Sequence, residues 1–208
     1  MSLTILSPAA PTYPAQLTTF LADRDGPTLT VLGQPNLLQN RSLALFCSVK
    51  CPGRLILQSY DLAQALQQAG IAVIGGFHSP IEKEVLTILL RGQQPLIICP
   101  ARSLAGLRLR SEWKQPLHQG RLLLLSPFPA SCRRATAATA HERNRLVGAL
   151  AERIFVTYAT PGGKMETLCR EFIGGGKRVY TFESEATAGL IEMGARAVGI
   201  DEFVELVE

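Results

Sequence analysis

Six short apolar runs recur along the chain, and most of the stretches between them carry apolar residues at helical spacing. The runs are Ser42 to Val49, Ile71 to Ile74, Pro95 to Cys99, Arg121 to Ser126, Ile154 to Tyr158 and Arg178 to Phe182. Strands that alternate with helices must be joined by crossovers, so they lie parallel and pack helices on both faces. The crossovers are expected to be right-handed. A strand covered on both faces loses its polar alternation, which is how Leu122 to Leu125 can be four leucines in a row. The expected fold class is α/β: a doubly wound, mostly parallel sheet with helices on both faces.

The crossover helices are expected from about Gln58 to Ala69, with Leu62, Ala65, Leu66 and Ala69 on the apolar face and Gly70 at the end, and from Glu82 to Arg91. Pro100-Ala101-Arg102-Ser103 leads into a helix ending at His118, while Phe128 to Thr139, rich in Ala, Ser, Pro and Arg, reads as a mobile loop. Ala186 to Met193 is a further helix, with a short terminal strand after it. Residues 1–40 read as an irregular, proline-punctuated lead-in packed on the core, holding a short helix within Tyr13 to Leu21 and a strand from Thr28 to Leu32. Residues 41–208 then form a single domain. At 208 residues and 47% hydrophobic content, the chain can bury a substantial core.

Several classes fall away. The apolar runs are far shorter than a membrane span, and Met1 to Pro14 lacks the basic start and apolar centre of a signal peptide, so a cytoplasmic protein with no membrane partner is expected. Five scattered cysteines fit reduced thiols better than a disulfide framework. Cys47 and Cys51 form a CxxxC, but no second pair or clustered His supports a metal site. No cofactor is expected.

Charge is unevenly spread. Ala101 to Arg153 holds ten Lys or Arg against three Glu, a local balance of +7 in a chain whose net charge is +4. Arg102, Arg108, Arg110, Lys114, Arg121, Arg133, Arg134, Arg143, Arg145 and Arg153 make up this cluster, which suits phosphate binding or an ordinary solvated surface. Glu183 to Glu208 carries seven acids and one base, a face expected to turn away from nucleic acid.

The densest chemical signal runs from Arg143 to Thr167: a helix opened by Arg143 and Arg145, a strand, the turn Thr160-Pro161-Gly162-Gly163, and a second helix with Met165, Leu168, Cys169 and Phe172 on one face. Glycines before a helix let the backbone approach a ligand, and the helix N–H groups favour an anion; the same pair is also explained by a tight turn alone. Gly75-Gly76-Phe77-His78-Ser79-Pro80 is a second such turn, with Ser79 as N-cap and Pro80 as first helical residue. His78 has no nucleophile and acid around it in sequence, so a hydrogen-bonded turn histidine is expected and no catalytic residue is assigned.

Arg143-Asn144-Arg145-Leu146-Val147, together with Gly163 and Thr167, resembles the DprA/Smf family of DNA-processing proteins. Gly176-Lys177-Arg178-Val179-Tyr180, Leu190-Ile191 with Gly194-Ala195, and the upstream Tyr13-Pro14, Leu17, Pro27, Leu29, Gly33 and Leu37-Leu38 extend the resemblance over most of the chain. There are departures. Ser48-Val49-Lys50 stands where the family has Gly-Ser-Arg or Gly-Thr-Arg, keeping a cation without the arginine fork. Gly162 replaces a serine, and Ser79-Pro80 replaces Gly-Ile.

The resemblance implies a Rossmann-like core and a protein that binds single-stranded DNA, protects incoming strands during DNA uptake and recombination, and hands them to a RecA-type recombinase, typically as a homodimer. The DNA or phosphate site it implies comprises Lys50, Gly75, Gly76, His78, Arg143, Asn144, Arg145, Gly162, Gly163, Lys164 and Thr167. Base stacking would fall to Phe77 and Tyr158. Pro161-Gly162-Gly163 with Glu166-Thr167 also resembles the LOG-type phosphoribohydrolases, leaving open an enzyme that cleaves nucleoside monophosphates with Glu166 or Glu171 as acid, or a small-nucleotide sensor.

Overall fold

The computed structural model describes residues 2–20 and 26–207. Nine strands form one sheet in the order β1-β2-β6-β5-β4-β3-β7-β8-β9. The parallel body comprises β3 (Leu43–Cys47), β4 (Val73–Gly75), β5 (Leu96–Ile98), β6 (Leu122–Ser126), β7 (Arg153–Tyr158), β8 (Arg178–Phe182) and β9 (Arg196–Val198). Two strands of the N-terminal segment, β1 (Thr4–Leu6) and β2 (Leu29–Leu32), add antiparallel to the outer edge of β6. The α/β, doubly wound and mostly parallel expectation is met. Its two antiparallel strands both lie at one edge.

Period-two alternation places the core. Leu43, Leu45 and Cys47 of β3 face one apolar layer, and Ala44 and Phe46 face the other. The first layer is completed by α2 (Gly53–Gln68), α3 (Pro80–Leu89), α4 (Ser111–His118) and α8 (Ile200–Val207). The second is completed by α1 (Ala15–Phe20), α5 (Ala137–Leu150), α6 (Lys164–Gly174) and α7 (Ala188–Glu192). Phe155 packs its ring 4.8 Å from both Phe182 and Phe203, so α8 is held by burying a full aromatic side chain, about 2–3 kcal/mol of transfer free energy.

Some expected boundaries move. The helix expected from Gln58 begins at Gly53, just after Pro52, and the helix expected before His118 begins only at Ser111, because residues 99–110 turn irregularly through Gly106 at φ +67°. The loop expected to end at Thr139 ends at Thr136, whose side chain caps α5 through a reciprocal bond with Thr139. Nor does that loop hang free: Ser103 N–H donates to Cys132 O at 2.8 Å, and Phe128 N–H donates to Ser126 Oγ at 3.1 Å. The short strand expected after the Ala186 to Met193 helix is β9, and α8 follows it where no helix was expected. Leu21, at the expected end of the first helix, and Glu208 lie outside the described residues.

The candidate nucleic-acid interface

Chain order reverses at the centre of the sheet. From β3 the chain steps through β4, β5 and β6 to one side, then returns to β7 on the other side of β3. The turns after β3 and β7 therefore lead to helices on opposite faces, and in doubly wound sheets this switch point is where ligands sit. Cys47 and Tyr158, the last residues of the two strands, are register partners. Past them Ser48 N–H donates to Tyr158 O at 2.9 Å, and Ser48 Oγ accepts Thr160 N–H at 3.0 Å. Lys50 is exposed in the first turn, and Lys164 is exposed as the first residue of α6 after the second.

The helix N-termini at this edge are of two kinds. On α3, Ser79 Oγ accepts the Glu82 N–H while the Glu82 carboxylate accepts N–H groups from His78 at 2.8 Å, Ser79 at 3.2 Å and, across the sheet edge, Cys47 at 3.0 Å. An internal anion thus already fills the place that a phosphate was expected to take. By contrast, neither α2, after Pro52, nor α6, after Gly163, has a side-chain cap. Their first intrahelical bonds start at Ile56 N–H and Thr167 N–H, leaving the earlier N–H groups aimed past the strand ends. Gly162, at φ +69°, donates its N–H to Glu166, and the Glu166 carboxylate also pairs with Arg170 at 3.2 Å.

The expected site residues divide accordingly. Lys50, Gly162, Gly163, Lys164 and Thr167 come together around the switch point. Gly163 donates its N–H to Thr160 O at 2.9 Å, and a Cβ there would lie 2.8 Å from that oxygen, so the turn itself requires glycine. Thr167 turns its hydroxyl back onto Gly163 O at 3.3 Å. Gly75, Gly76 and His78 lie one strand over, after β4. His78 is exposed, while Gly75 is covered by the Phe77 ring, 3.0 Å from where its Cβ would stand.

Arg143 does not open its helix. The cap at Thr136 starts α5 six residues earlier, so Arg143 sits mid-helix, faces the sheet and is 3% exposed. Its Nη1 donates to Cys99 O at 2.8 Å and its Nε to Asn144 Oδ1 at 2.7 Å. The guanidinium lies where a Gly76 Cβ would stand, 1.8 Å from Nη1. Gly76 therefore makes room for an arginine of the protein itself. Burial lowers the Arg143 pKa, with the Glu82 carboxylate opposing; the guanidinium remains charged. In turn, burial pushes the Cys99 thiol up to about 12. Arg145, also mid-helix, points to α6 and is ion-paired with Glu171. Phe77, at 5% exposure, cannot present its ring to a base, while Tyr158 is half-buried.

Two contributors escaped the sequence reading. Glu82 was legible as the fourth residue of Ser79-x-x-Glu82, a capping box. Arg54, exposed on the first turn of α2, was hidden by the late placement of that helix. A shallow hollow lined by Arg41, Glu152 and Arg153 lies at the opposite, N-terminal ends of β3 and β7, with Arg41 and Glu152 paired at 3.2 Å. Among the described residues no cluster of His, Cys, Asp and Glu could hold a metal, and no helix is long and apolar enough to cross a membrane.

The sequence profile of the DNA recombination-mediator protein A family matches residues 4–208. The chain belongs to that family. No curated protein matches the chain. Among solved structures, DNA processing protein A (DprA) from Streptococcus pneumoniae aligns with a TM-score of 0.79 at 17% identity, over 100% of this chain and 75% of that one. DNA processing protein A from Helicobacter pylori, described for its single-stranded DNA binding mode, aligns with a TM-score of 0.78 at 20% identity, over 99% and 95%. The molybdenum cofactor carrier protein from Chlamydomonas reinhardtii shares the fold more distantly, with a TM-score of 0.55 at 8% identity over 81% and 96%. At such identities the likeness is one of fold, and the family assignment rests on the profile match. Relative to the DprA/Smf pattern, Arg143 and Gly76 stand together as one buried unit, while the substituted positions Lys50 and Gly162 stand at the open crevice.

Proposed function

We propose that this DprA-family protein binds single-stranded DNA along the C-terminal edge of its sheet, with the strand's phosphates seated at the switch point between β3 and β7. One observation carries the reading: two adjacent turns bring together two uncapped helix N-termini and the exposed cations Lys50, Arg54 and Lys164. Uncapped N–H groups and cations are the complement of phosphoryl oxygens. Arg102, Arg108, Arg133 and Arg134, on the loops after β5 and β6, extend the same edge with positive charge. With Phe77 folded inward, affinity comes from phosphates and carries little sequence preference. Arg143 acts by position, tying α5 to the ends of β4 and β5. Family membership supports the remaining parts of the reading: action in the cytoplasm, pairing of two copies, and delivery of the strand to a RecA-type recombinase. Glu166 and Glu171, the acids a phosphoribohydrolase would use, are both held by arginines, which gives that reading no support.

The test is oligonucleotide binding against salt. Lys50→Ala, Arg54→Ala and Lys164→Ala combined should weaken binding and reduce the slope of log K against log salt by about 2, since each contact on a single strand contributes roughly 0.7. No binding by the parent even at low salt, or an unchanged slope in the triple variant, would refute the proposal.

A further inference from the structure

We propose that Cys47 and Cys51 are an oxidation site, forming an intramolecular disulfide that closes a covalent ring around the turn bearing Val49 and Lys50. Cys47 ends β3 and Cys51 precedes α2, so the two flank a three-residue turn, and both pack on the same apolar layer of the sheet, where the Cys51 thiol donates to Pro52 O at 3.7 Å. Cys47 is 3% exposed, whereas Cys51 is half-buried and open to a reagent. The Cys47 side of the turn is fixed: its N–H is held by Glu82, and Ser48 is held by Tyr158 and Thr160. The other side is free to adjust, because the N–H groups of Val49, Lys50 and Cys51 make no hydrogen bond to a described residue. A bridge needs a narrow range of Cα separations and torsions, and a fixed partner facing an adjustable one can reach it. The remaining thiols are placed differently. Cys99 and Cys169 are buried, and Cys132 lies on the loop after β6.

A low-molecular-weight disulfide supplies the oxidising equivalents. The Cys51 thiolate attacks one of its sulfurs, forming a mixed disulfide and expelling the first thiolate. Cys47 then gives up its proton to solvent and attacks Cys51 Sγ, expelling the second. Two protein thiols are oxidised, and one reagent disulfide is reduced to two thiols. Burial holds the pKa of both cysteines up, reinforced at Cys47 by the neighbouring thiol and by Glu82, so the thiolate is scarce near neutral pH and closure is slow there.

The sequence provides a direct readout. Trypsin cuts after Arg41, Lys50 and Arg54, releasing Cys47 and Cys51 on separate peptides, residues 42–50 and 51–54. The folded full chain is incubated with glutathione disulfide, alkylated and digested without reduction. The two peptides should emerge covalently joined, the intact chain should lose the mass of two hydrogens, and alkylated thiols should fall from five to three. Closure should run faster at about pH 9 than at about pH 7. Cys51→Ser, at a half-exposed position, should abolish it. Release of the two peptides unlinked, with Cys51 free, carrying glutathione or joined to Cys132, would overturn the proposal. The readout is covalent mass, so it is independent of whether the protein binds DNA.

Discussion

At the scale of single residues, the pairing of Arg143 with Gly76 is the most informative contact. Adding a methyl at Gly76 would push a guanidinium that is already hydrogen-bonded to the Cys99 carbonyl, and displacing it would leave that carbonyl and Glu82 without their countercharge. Gly76→Ala should therefore cost about 3 kcal/mol, as should Arg143→Ala. In the double variant the alanine at 76 meets empty space, so a double-mutant cycle by urea unfolding should give a coupling term of ~2 kcal/mol. Simple additivity would mean the two do not share a site. The residue types of this pair were legible in the sequence, but the direction of the side chain was not. It depends on where α5 starts, and the Thr136 cap moves Arg143 from an exposed end to a buried face.

Among elements, the contrast is between α3, whose leading N–H groups are held by Glu82, and α2, which has neither a side-chain cap nor an acid in its first turn; α6 lies between, without a side-chain cap but with Glu166 bound to the Gly162 N–H. Placing a carboxylate on the open end of α2, by Pro52→Asp, would cap it, a change worth about 1 kcal/mol in favour of the helix, partly offset by losing the proline's rigidity. Stability by thermal melting should hold or rise while affinity for a single-stranded oligonucleotide falls several-fold. Equal loss of both would point to a damaged fold, and unchanged affinity would place the DNA elsewhere. The sequence made most elements visible but not their ends. Leu55-Ile56-Leu57 is an apolar triplet that suits strand and helix alike, which hid the start of α2 and with it Arg54. α8 is legible in principle, since Ile200, Phe203, Val204 and Val207 recur at helical spacing, but the surrounding acids mask that face as a charged tail. In residues 99–110, Leu104 and Leu107 mimic a helix that Gly106 interrupts.

Over the whole molecule, alternation of strand and helix predicted a doubly wound sheet, but not the order of its strands. That order depends on which edges pair across long crossovers, a property with no local signature; the turn that brings Ser48 beside Thr160 was visible only once β3 and β7 were known to be neighbours. The buried thiols also give stability a pH dependence. Cys99 and Cys169 are each raised by burial from 9.0 to about 12, so between those values the native state retains protons that the unfolded chain releases. Unfolding free energy should be level below about pH 8 and then fall by about 1.4 kcal/mol per pH unit for each such thiol. A urea midpoint independent of pH across this range would contradict the burial assigned to them.

The central claim is that phosphates meet the N-termini of α2 and α6 and not that of α3. Backbone amide NMR of the protein titrated with a single-stranded oligonucleotide tests this directly. The account predicts shifts at Gly53 to Leu55 and Lys164 to Glu166, with His78 and Ser79 nearly still because Glu82 already holds their N–H groups. Shifts concentrated at His78 and Ser79, with the amides at the switch point unmoved, would contradict it.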